Sequence, residues 1–167
     1  KYNDYSSLGE ISNAIGITYG LTGKAKAALK YYETARDYFK KAGNDEMESV
    51  ALCNMGRICI FMKKNERASK LFEESLALNQ KNNDKEGIAR DYVSIGTLLQ
   101  TQKKDQDALI YLKKALNLYK NTGNLRGITN AYTKLVRVHL GLNNYELAKK
   151  NLDLALAGAK KMKSYVF

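Results

Sequence analysis

Proline and tryptophan are absent from this chain of 167 residues, which has only two cysteines and one histidine. Proline interrupts helices because it lacks a backbone N–H and its ring collides with the preceding turn, so its absence permits long unbroken helices. No apolar run approaches the roughly 18 residues that a membrane-spanning helix needs, which excludes insertion of that kind. Because 44% of the residues are hydrophobic and strong helix formers are frequent, the composition predicts an all-α fold with a substantial core.

The two cysteines, Cys53 and Cys59, lie six residues apart. On one helix this spacing corresponds to a rise of about 9 Å, which is too far for a disulfide. It also misses the spacing at which two helical side chains share a metal ion, and the single histidine, His139, is eighty residues beyond Cys59. We therefore expect no disulfide, no metal site and no cofactor.

The sequence also lacks the residue combinations that catalysis requires, such as an HExxH motif or a His–carboxylate–nucleophile set. The segment Gly20–Ala25 (GLTGKA) comes nearest to a phosphate-binding loop. Its glycines are too close together, however, and no Ser or Thr follows its lysine. We therefore predict that the chain is not an enzyme, and that His139 is a packed structural side chain.

Positive charge is in excess, with a formal net charge of +11. Many lysines stand in pairs near predicted helix ends, such as Lys40-Lys41 and Lys160-Lys161, where they favour the negative end of the helix dipole. The excess is largest in residues 125–167, which carry eight basic and two acidic groups. Solvated helix ends explain most of this charge, and an anion-binding surface is the alternative explanation.

Small and large side chains recur every forty residues. Gly16 returns as Gly56 and Gly96, and Val136 takes this position in the fourth copy. An alanine follows twelve residues later in every copy, and a bulky apolar residue follows four residues after the alanine. The members of these two sets are Ala28, Ala68, Ala108 and Ala148, and Tyr32, Phe72, Leu112 and Leu152. Two helices joined by a short turn can pack closely where small residues face large ones.

This pattern resembles the tetratricopeptide repeat, a helix–turn–helix unit with Gly, Ala and bulky apolar residues at set offsets. Four copies, about residues 5–44, 45–84, 85–124 and 125–163, cover nearly the whole chain, and residues 164–167 form a tail. Each copy is longer than the usual repeat of about 34 residues, and Lys or Gln replaces the usual closing proline. The resemblance implies a single array, which we expect to be part of a longer protein.

The resemblance further implies an all-α, right-handed α-solenoid of four antiparallel helix pairs. Gly43-Asn44, Asn83-Asp84 and Gly123-Asn124 each place a residue suited to a left-handed conformation before an N-capping residue. These signals predict helices at residues 6–21, 24–42, 45–61, 65–82, 85–101, 105–122, 125–140 and 144–162. Most of the twelve tyrosines fall in packing positions and are expected in the core, including Tyr19, Tyr32, Tyr92 and Tyr132.

In this family the first helix of each pair lines a concave groove that binds peptides. Carried over by motif position, the resemblance implies a polar, cationic groove that also includes Ile17. The predicted peptide-binding residues are Asn13, Asn54, Arg57, Arg90, Ser94, Thr97, Asn130, Lys134 and Arg137. The five-residue clamp by which some members hold a terminal carboxylate is matched only at Asn54 and, with Arg for Lys, at Arg90. The sequence therefore does not support such a clamp.

The leading hypothesis is a scaffold that binds a protein or peptide, acidic in character, in a bacterial signalling or regulatory protein with similarly long repeats. An RNA-binding helical repeat that uses the basic face of repeats three and four is the alternative of another class. Self-association through the array ends is a third, for which Tyr165, Val166 and Phe167 are candidates. No signal peptide is visible, which favours a cytoplasmic location.

Overall fold

The structure is a computed structural model that describes residues 4–164, without the side chain of Ser164. These residues form eight α-helices joined by turns of two or three residues, and they contain no β-strand. The helices are α1 (Tyr5–Leu21), α2 (Ala25–Ala42), α3 (Asp45–Phe61), α4 (Asn65–Lys81), α5 (Lys85–Thr101), α6 (Asp105–Thr122), α7 (Leu125–Gly141) and α8 (Tyr145–Ser164). Each helix boundary lies within two residues of its predicted position, so the all-α prediction is confirmed.

A residue with a positive φ stands in a turn every twenty residues along the chain. The residues are Gly23, Gly43, Lys63, Asn83, Lys103, Gly123 and Asn143. In each turn the next N–H donates back to the helix that has just ended, as from Lys64 N to Cys59 O at 2.8 Å. The sequence predicts the turns between repeats. Within repeats, Lys63 and Lys103 adopt a left-handed conformation that a residue with a Cβ atom normally avoids. In both turns the lysine N–H donates back to the preceding helix, from Lys63 N to Ile60 O and from Lys103 N to Gln100 O, each at 2.9 Å.

The N-caps differ between the two kinds of turn. At the start of a repeat, Asn44 Oδ1 accepts from Met47 N at 3.0 Å and Asn124 Oδ1 accepts from Gly127 N at 2.8 Å. Within a repeat, Lys24, Lys64 and Lys104 occupy the N-cap and supply no side-chain acceptor. The second helices of the first three repeats therefore begin without this stabilisation.

Replacing Lys104 by asparagine is expected to raise the free energy of unfolding by about 1 kcal/mol, because the amide oxygen would accept a hydrogen bond from the first turn of α6. Asn144 occupies the same position in the fourth repeat. Urea denaturation followed by circular dichroism measures the change. Lys104→Ala is the control, because it removes the same charge without adding an acceptor. An equal gain in both variants would contradict the capping explanation.

The described helices fall into two compact units, divided between Gly87 and Ile88. In the first unit, α1 packs against α2, α2 against α3 and α3 against α4. A Cβ atom built on Gly16 would lie 2.7 Å from Tyr32 Cδ1, and one built on Gly56 would lie 2.8 Å from Phe72 Cδ1. The predicted pairing of a small residue with a bulky one is thus confirmed in this unit. It lets the two helices of each repeat approach closely.

One arginine joins three helices of the first unit. Arg36 on α2 contacts Glu48 on α3 through Nε at 3.2 Å, and it contacts Glu74 on α4 through Nη2 at 2.7 Å. The Arg67 guanidinium pairs with Glu33 at 2.6 Å. The Glu48 side chain is only 10% exposed. Removing its partner Arg36 would therefore destabilise the protein more than removing one partner of a fully solvated ion pair.

The second unit has its own core, built from α5, α6 and α7. Ala89, Ala108, Leu112, Leu135 and Val138 are among its buried members. The recurring alanines are buried in both units, with Ala28, Ala68 and Ala108 at 0% exposure and Ala148 at 3%. This burial confirms the packing role that the forty-residue period predicts.

The fourth repeat departs from the predicted pairing. Val136 stands where the other copies have glycine, and the bulky Leu152 is 46% exposed. Its counterpart in the third repeat, Leu112, is 1% exposed and lies over Gly96. The pairing of a small residue with a bulky one therefore does not extend to the fourth repeat, where valine replaces the glycine.

The tyrosine prediction was right for Tyr32, which is 4% exposed, and only partly right for three others, which are half-buried, two of them packed against the core of the second unit. Those three are Tyr19, Tyr92 and Tyr132. Tyr19 stacks on Tyr31 with ring centroids 5.4 Å apart, and Tyr92 meets Tyr111 edge to face at 5.7 Å. Lysine ammonium groups lie near these rings, namely Lys24 and Lys114. Rings that pack on one another at a helix surface keep one side in solvent.

Candidate functional site

The first unit contains a pocket of about 380 Å³, which we call the α1–α3 pocket. Residues of α1, the following turn, α2 and α3 line it. They are Ile17, Gly20, Leu21, Gly23, Ala25, Tyr32, Asn54, Arg57, Ile58 and Phe61. The pocket joins two of the predicted peptide-binding residues, Asn54 and Arg57, with Ile17 of the predicted groove. Its volume lies in the range of pockets that hold small ligands or single side chains.

Three large apolar side chains at the pocket are open to solvent. Leu21 is 85% exposed, Phe61 is 69% exposed and Ile17 is 42% exposed. Single exposed apolar residues are common, but a cluster around a concavity marks a binding surface. These side chains therefore give the pocket an apolar wall that a ligand can cover.

Arg57 supplies the charge of the pocket. It is exposed, and among the described residues 4–164 it has no carboxylate partner. The other arginines of this unit, Arg36 and Arg67, are both paired with glutamates. Burial raises the pKa of the Tyr32 hydroxyl, and the nearby Arg57 guanidinium partly offsets this effect. Arg57 is thus available for an external anion.

Asn54 is held in place by a neighbouring helix. Its Nδ2 donates to Asn13 Oδ1 at 3.1 Å, which joins α3 to α1. Asn13 itself is 8% exposed. Asn13 was predicted to face the groove, but its burial makes it a residue that positions Asn54.

The remaining predicted residues lie in the second unit. On α5, Ser94 is 6% exposed and its hydroxyl donates to Arg90 O at 3.1 Å, while the Thr97 hydroxyl donates to Val93 O at 2.8 Å. Arg90 is half-buried, with Nε and Nη2 unbonded among the described residues. Both hydroxyls therefore bond to their own helix. On α7 the predicted residues are exposed or half-buried, namely Asn130, Lys134 and Arg137; their role remains a prediction.

Of the apolar part of the pocket, sequence reasoning predicted Ile17 and missed the rest. Leu21 and Phe61 occupy one repeat position at the end of the first helix, where the third and fourth repeats have Thr101 and Gly141. The sequence did carry a signal for them, because the first two copies have a large apolar residue at a repeat position that the other copies fill with Thr or Gly. Ile58 and Tyr32 complete the pocket through the helix packing, which the period alone does not describe.

The prediction that His139 is a packed side chain is confirmed, since it is 5% exposed on α7. Its Nδ1 is buried without a hydrogen-bond partner among residues 4–164. Burial lowers the pKa of His139 below 6.5, and the nearby Lys113 ammonium lowers it further. This imidazole therefore stays neutral in the folded protein under conditions that protonate it in the unfolded chain.

Stability is expected to fall as the pH drops below about 6.5, because the unfolded chain then binds a proton at His139 that the folded protein does not. The loss should level off once the pH passes below the depressed folded-state pKa. Urea denaturation between about pH 7 and pH 5 measures it. His139→Leu, which copies Leu99 of the third repeat, should flatten this part of the profile. An unchanged slope would show that His139 is not its source.

The cysteines and the possible metal ligands of the described part of the chain form no reactive site. Cys53 and Cys59 are buried thiols, and burial raises the pKa of the Cys59 thiol, which favours the unreactive protonated form. Residues 4–164 contain no cluster of three side chains that could hold a metal ion. Within the same range, no helix has the length and apolarity to cross a membrane.

A family model described as tetratricopeptide repeat matches residues 7–81 and, overlapping them, residues 47–121. The chain belongs to the tetratricopeptide repeat family. The helix pairs of both units and the glycine–aromatic contacts agree with this assignment. The α1–α3 pocket lies wholly within the part of the chain that the model matches.

This tetratricopeptide repeat chain has a bacterial regulatory protein among its relatives. It is 37% identical over 57 residues to Regulatory protein RapD of Bacillus subtilis (strain 168), a stretch that spans 34% of this chain and 16% of RapD. The solved structure of the Rap conjugation gene regulator of plasmid pLS20, in complex with the Phr* peptide, matches with a TM-score of 0.87 and 19% identity. That match covers 95% of this chain and 43% of the regulator.

Aspartyl phosphate phosphatase F from Bacillus subtilis matches with a TM-score of 0.84 and 17% identity, over 96% of this chain and 42% of the phosphatase. Identities this low show the fold alone, and they show it to be that of a helical-repeat solenoid. The chain spans less than half the length of either of these two structures.

Proposed function

We propose that this chain binds a peptide segment along the first helices of its repeats, as the interaction or sensor region of a bacterial regulatory protein. The α1–α3 pocket carries the proposal. It combines an apolar wall with the unpaired Arg57 and the fixed amide of Asn54. A few placed polar groups within an apolar concavity are the usual composition of a binding site.

The similarity to Rap proteins supports the same function. The pLS20 regulator is described in complex with a peptide, and this chain shares its fold over 95% of the present sequence. We propose that the present chain binds its partner without catalysing a reaction. The name of phosphatase F refers to a protein more than twice as long as the matched region. In this chain the two cysteines and His139 are buried.

The partner is proposed to be acidic, because Arg57 lacks an internal carboxylate. The basic side chains of the fourth repeat, including Arg137, add positive charge to the chain. Charge-assisted hydrogen bonds from a guanidinium to a carboxylate are among the stronger polar contacts in proteins. An acidic peptide would therefore gain both attraction at long range and a specific bond at the pocket.

Selection of a random peptide library on the full chain, followed by isothermal titration with the enriched peptides, tests the proposal. We expect saturable binding that Arg57→Ala weakens by about tenfold or more, which corresponds to the loss of one charge-assisted contact. Arg126→Ala is the matched control, because Arg126 is exposed on α7 outside the predicted site. Absence of saturable binding would contradict the function. Equal losses in both variants would contradict the use of this site.

A further inference from the structure

We propose that the α1–α3 pocket selects peptides by one large apolar side chain, aromatic or branched aliphatic, next to an aspartate or glutamate in the peptide sequence. The apolar side chain enters between Leu21 and Phe61, and the neighbouring carboxylate pairs with Arg57. This inference rests on the proposed peptide-binding function and specifies which peptides the site accepts.

The exposure of the pocket residues defines the apolar half of this requirement. Phe61 and Leu21 lie at the ends of α3 and α1 and are 69% and 85% exposed. Covering them together with Ile17 removes apolar surface from water, which is favourable roughly in proportion to the area buried. At about 380 Å³ the pocket has room for one large side chain. An apolar anchoring side chain of the peptide is therefore the occupant that fits this part of the pocket.

The charges at the pocket define the acidic half. None of the described residues that line it is acidic, and Arg57 is the one cation among them. The first turn of α2, at Ala25, forms part of the same wall, and the start of a helix carries partial positive charge. Arg57 would repel a basic neighbour on the peptide. A carboxylate there would give Arg57 an ion pair of the kind that Arg36 and Arg67 already have.

The repeat pattern makes this combination specific to the first unit. Arg57 has an arginine counterpart in the fourth repeat, Arg137, but the counterparts of Leu21 and Phe61 are Thr101 and Gly141. A cation next to an exposed aromatic side chain at the end of the first helix therefore occurs in the second copy and not in the fourth. The α1–α3 pocket therefore selects for an apolar residue and for an adjacent acidic residue of the peptide at the same site.

The test substitutes single residues in the enriched peptides and measures each against chain variants by isothermal titration. In the wild-type chain, replacing the anchoring apolar residue by Ala or the adjacent Asp by Asn should each weaken binding by about tenfold. In Arg57→Gln the Asp→Asn change should cost less than about twofold, while the apolar residue keeps its effect. In Phe61→Ser, replacing the apolar residue should cost less than about twofold, while the Asp→Asn change keeps its effect.

Tyr145→Ser serves as the control for Phe61→Ser, because Tyr145 is 64% exposed on α8 and distant in the sequence. It should leave both peptide preferences unchanged. If peptides bind but both variants keep the wild-type preferences, the inference is wrong and the proposed function stands. The inference is equally wrong if the enriched peptides lack an acidic residue beside an apolar one. If no peptide binds at all, both proposals fail.

Discussion

Replacing Phe72 by alanine is expected to lower the free energy of unfolding by about 3–5 kcal/mol. The ring is fully buried, at 0% exposure, and it lies on α4 against the glycine of α3. Its removal loses the transfer free energy of the ring. It also leaves a cavity that two helices packed across Gly56 cannot close.

Urea denaturation monitored by circular dichroism measures this loss, and Phe61→Ala is the matched control. Phe61 belongs to the same unit and loses the same atoms, but it is 69% exposed. Its substitution should change stability by less than about 0.5 kcal/mol. Similar losses in the two variants would show that the packing of Phe72 is not what stabilises this unit.

Replacing Gly56 by alanine is expected to destabilise the protein by about 1–2 kcal/mol, although alanine is the better helix former. The added methyl group would lie 2.8 Å from Phe72 Cδ1, inside the contact distance of two carbon atoms. The enclosed ring has no room to move away. Overpacking therefore outweighs the gain in helix propensity of up to about 1 kcal/mol.

Gly20→Ala is the control with the opposite expected sign. Gly20 is also helical, but a Cβ there would meet its nearest neighbour, Ile58 Cδ1, at an ordinary 3.5 Å. This variant should be stabilised by up to about 1 kcal/mol. Combining Gly56→Ala with Phe72→Leu, the residue type that stands over Gly96 as Leu112, should recover part of the loss. Strict additivity of the two changes would contradict a direct clash.

Much of the fold could be predicted because the signals are local. Glycine or asparagine at a turn and an N-capping residue after it are read from adjacent positions, and they mark the turns between repeats, whereas the turns at Lys63 and Lys103 within repeats lack this signal. The pairing of Gly16 with Tyr32 and of Gly56 with Phe72 follows from a repeated spacing across one turn. These features depend on few residues close together in the chain.

The candidate site was predicted less completely. Asn54 and Arg57 were identified from their motif positions, and both line the α1–α3 pocket. Asn13 was expected to face a ligand and instead is buried as the partner of Asn54. Motif positions specify the face of a helix, whereas exposure depends on how closely the neighbouring helix approaches. The tail residues Tyr165, Val166 and Phe167, predicted to mediate self-association, lie outside the described residues.

The sequence by itself determined the all-α class, the helix boundaries and the small–large pairing within repeats, because helix formation and close packing across a short turn are governed by residues near one another. Tertiary structure alone decided that Leu152 is exposed, that Tyr19 is half-buried and that Leu21 and Phe61 border a pocket with Arg57. Each of these outcomes depends on which side chains from different helices compete for the same space. That competition is settled only when the helices pack together.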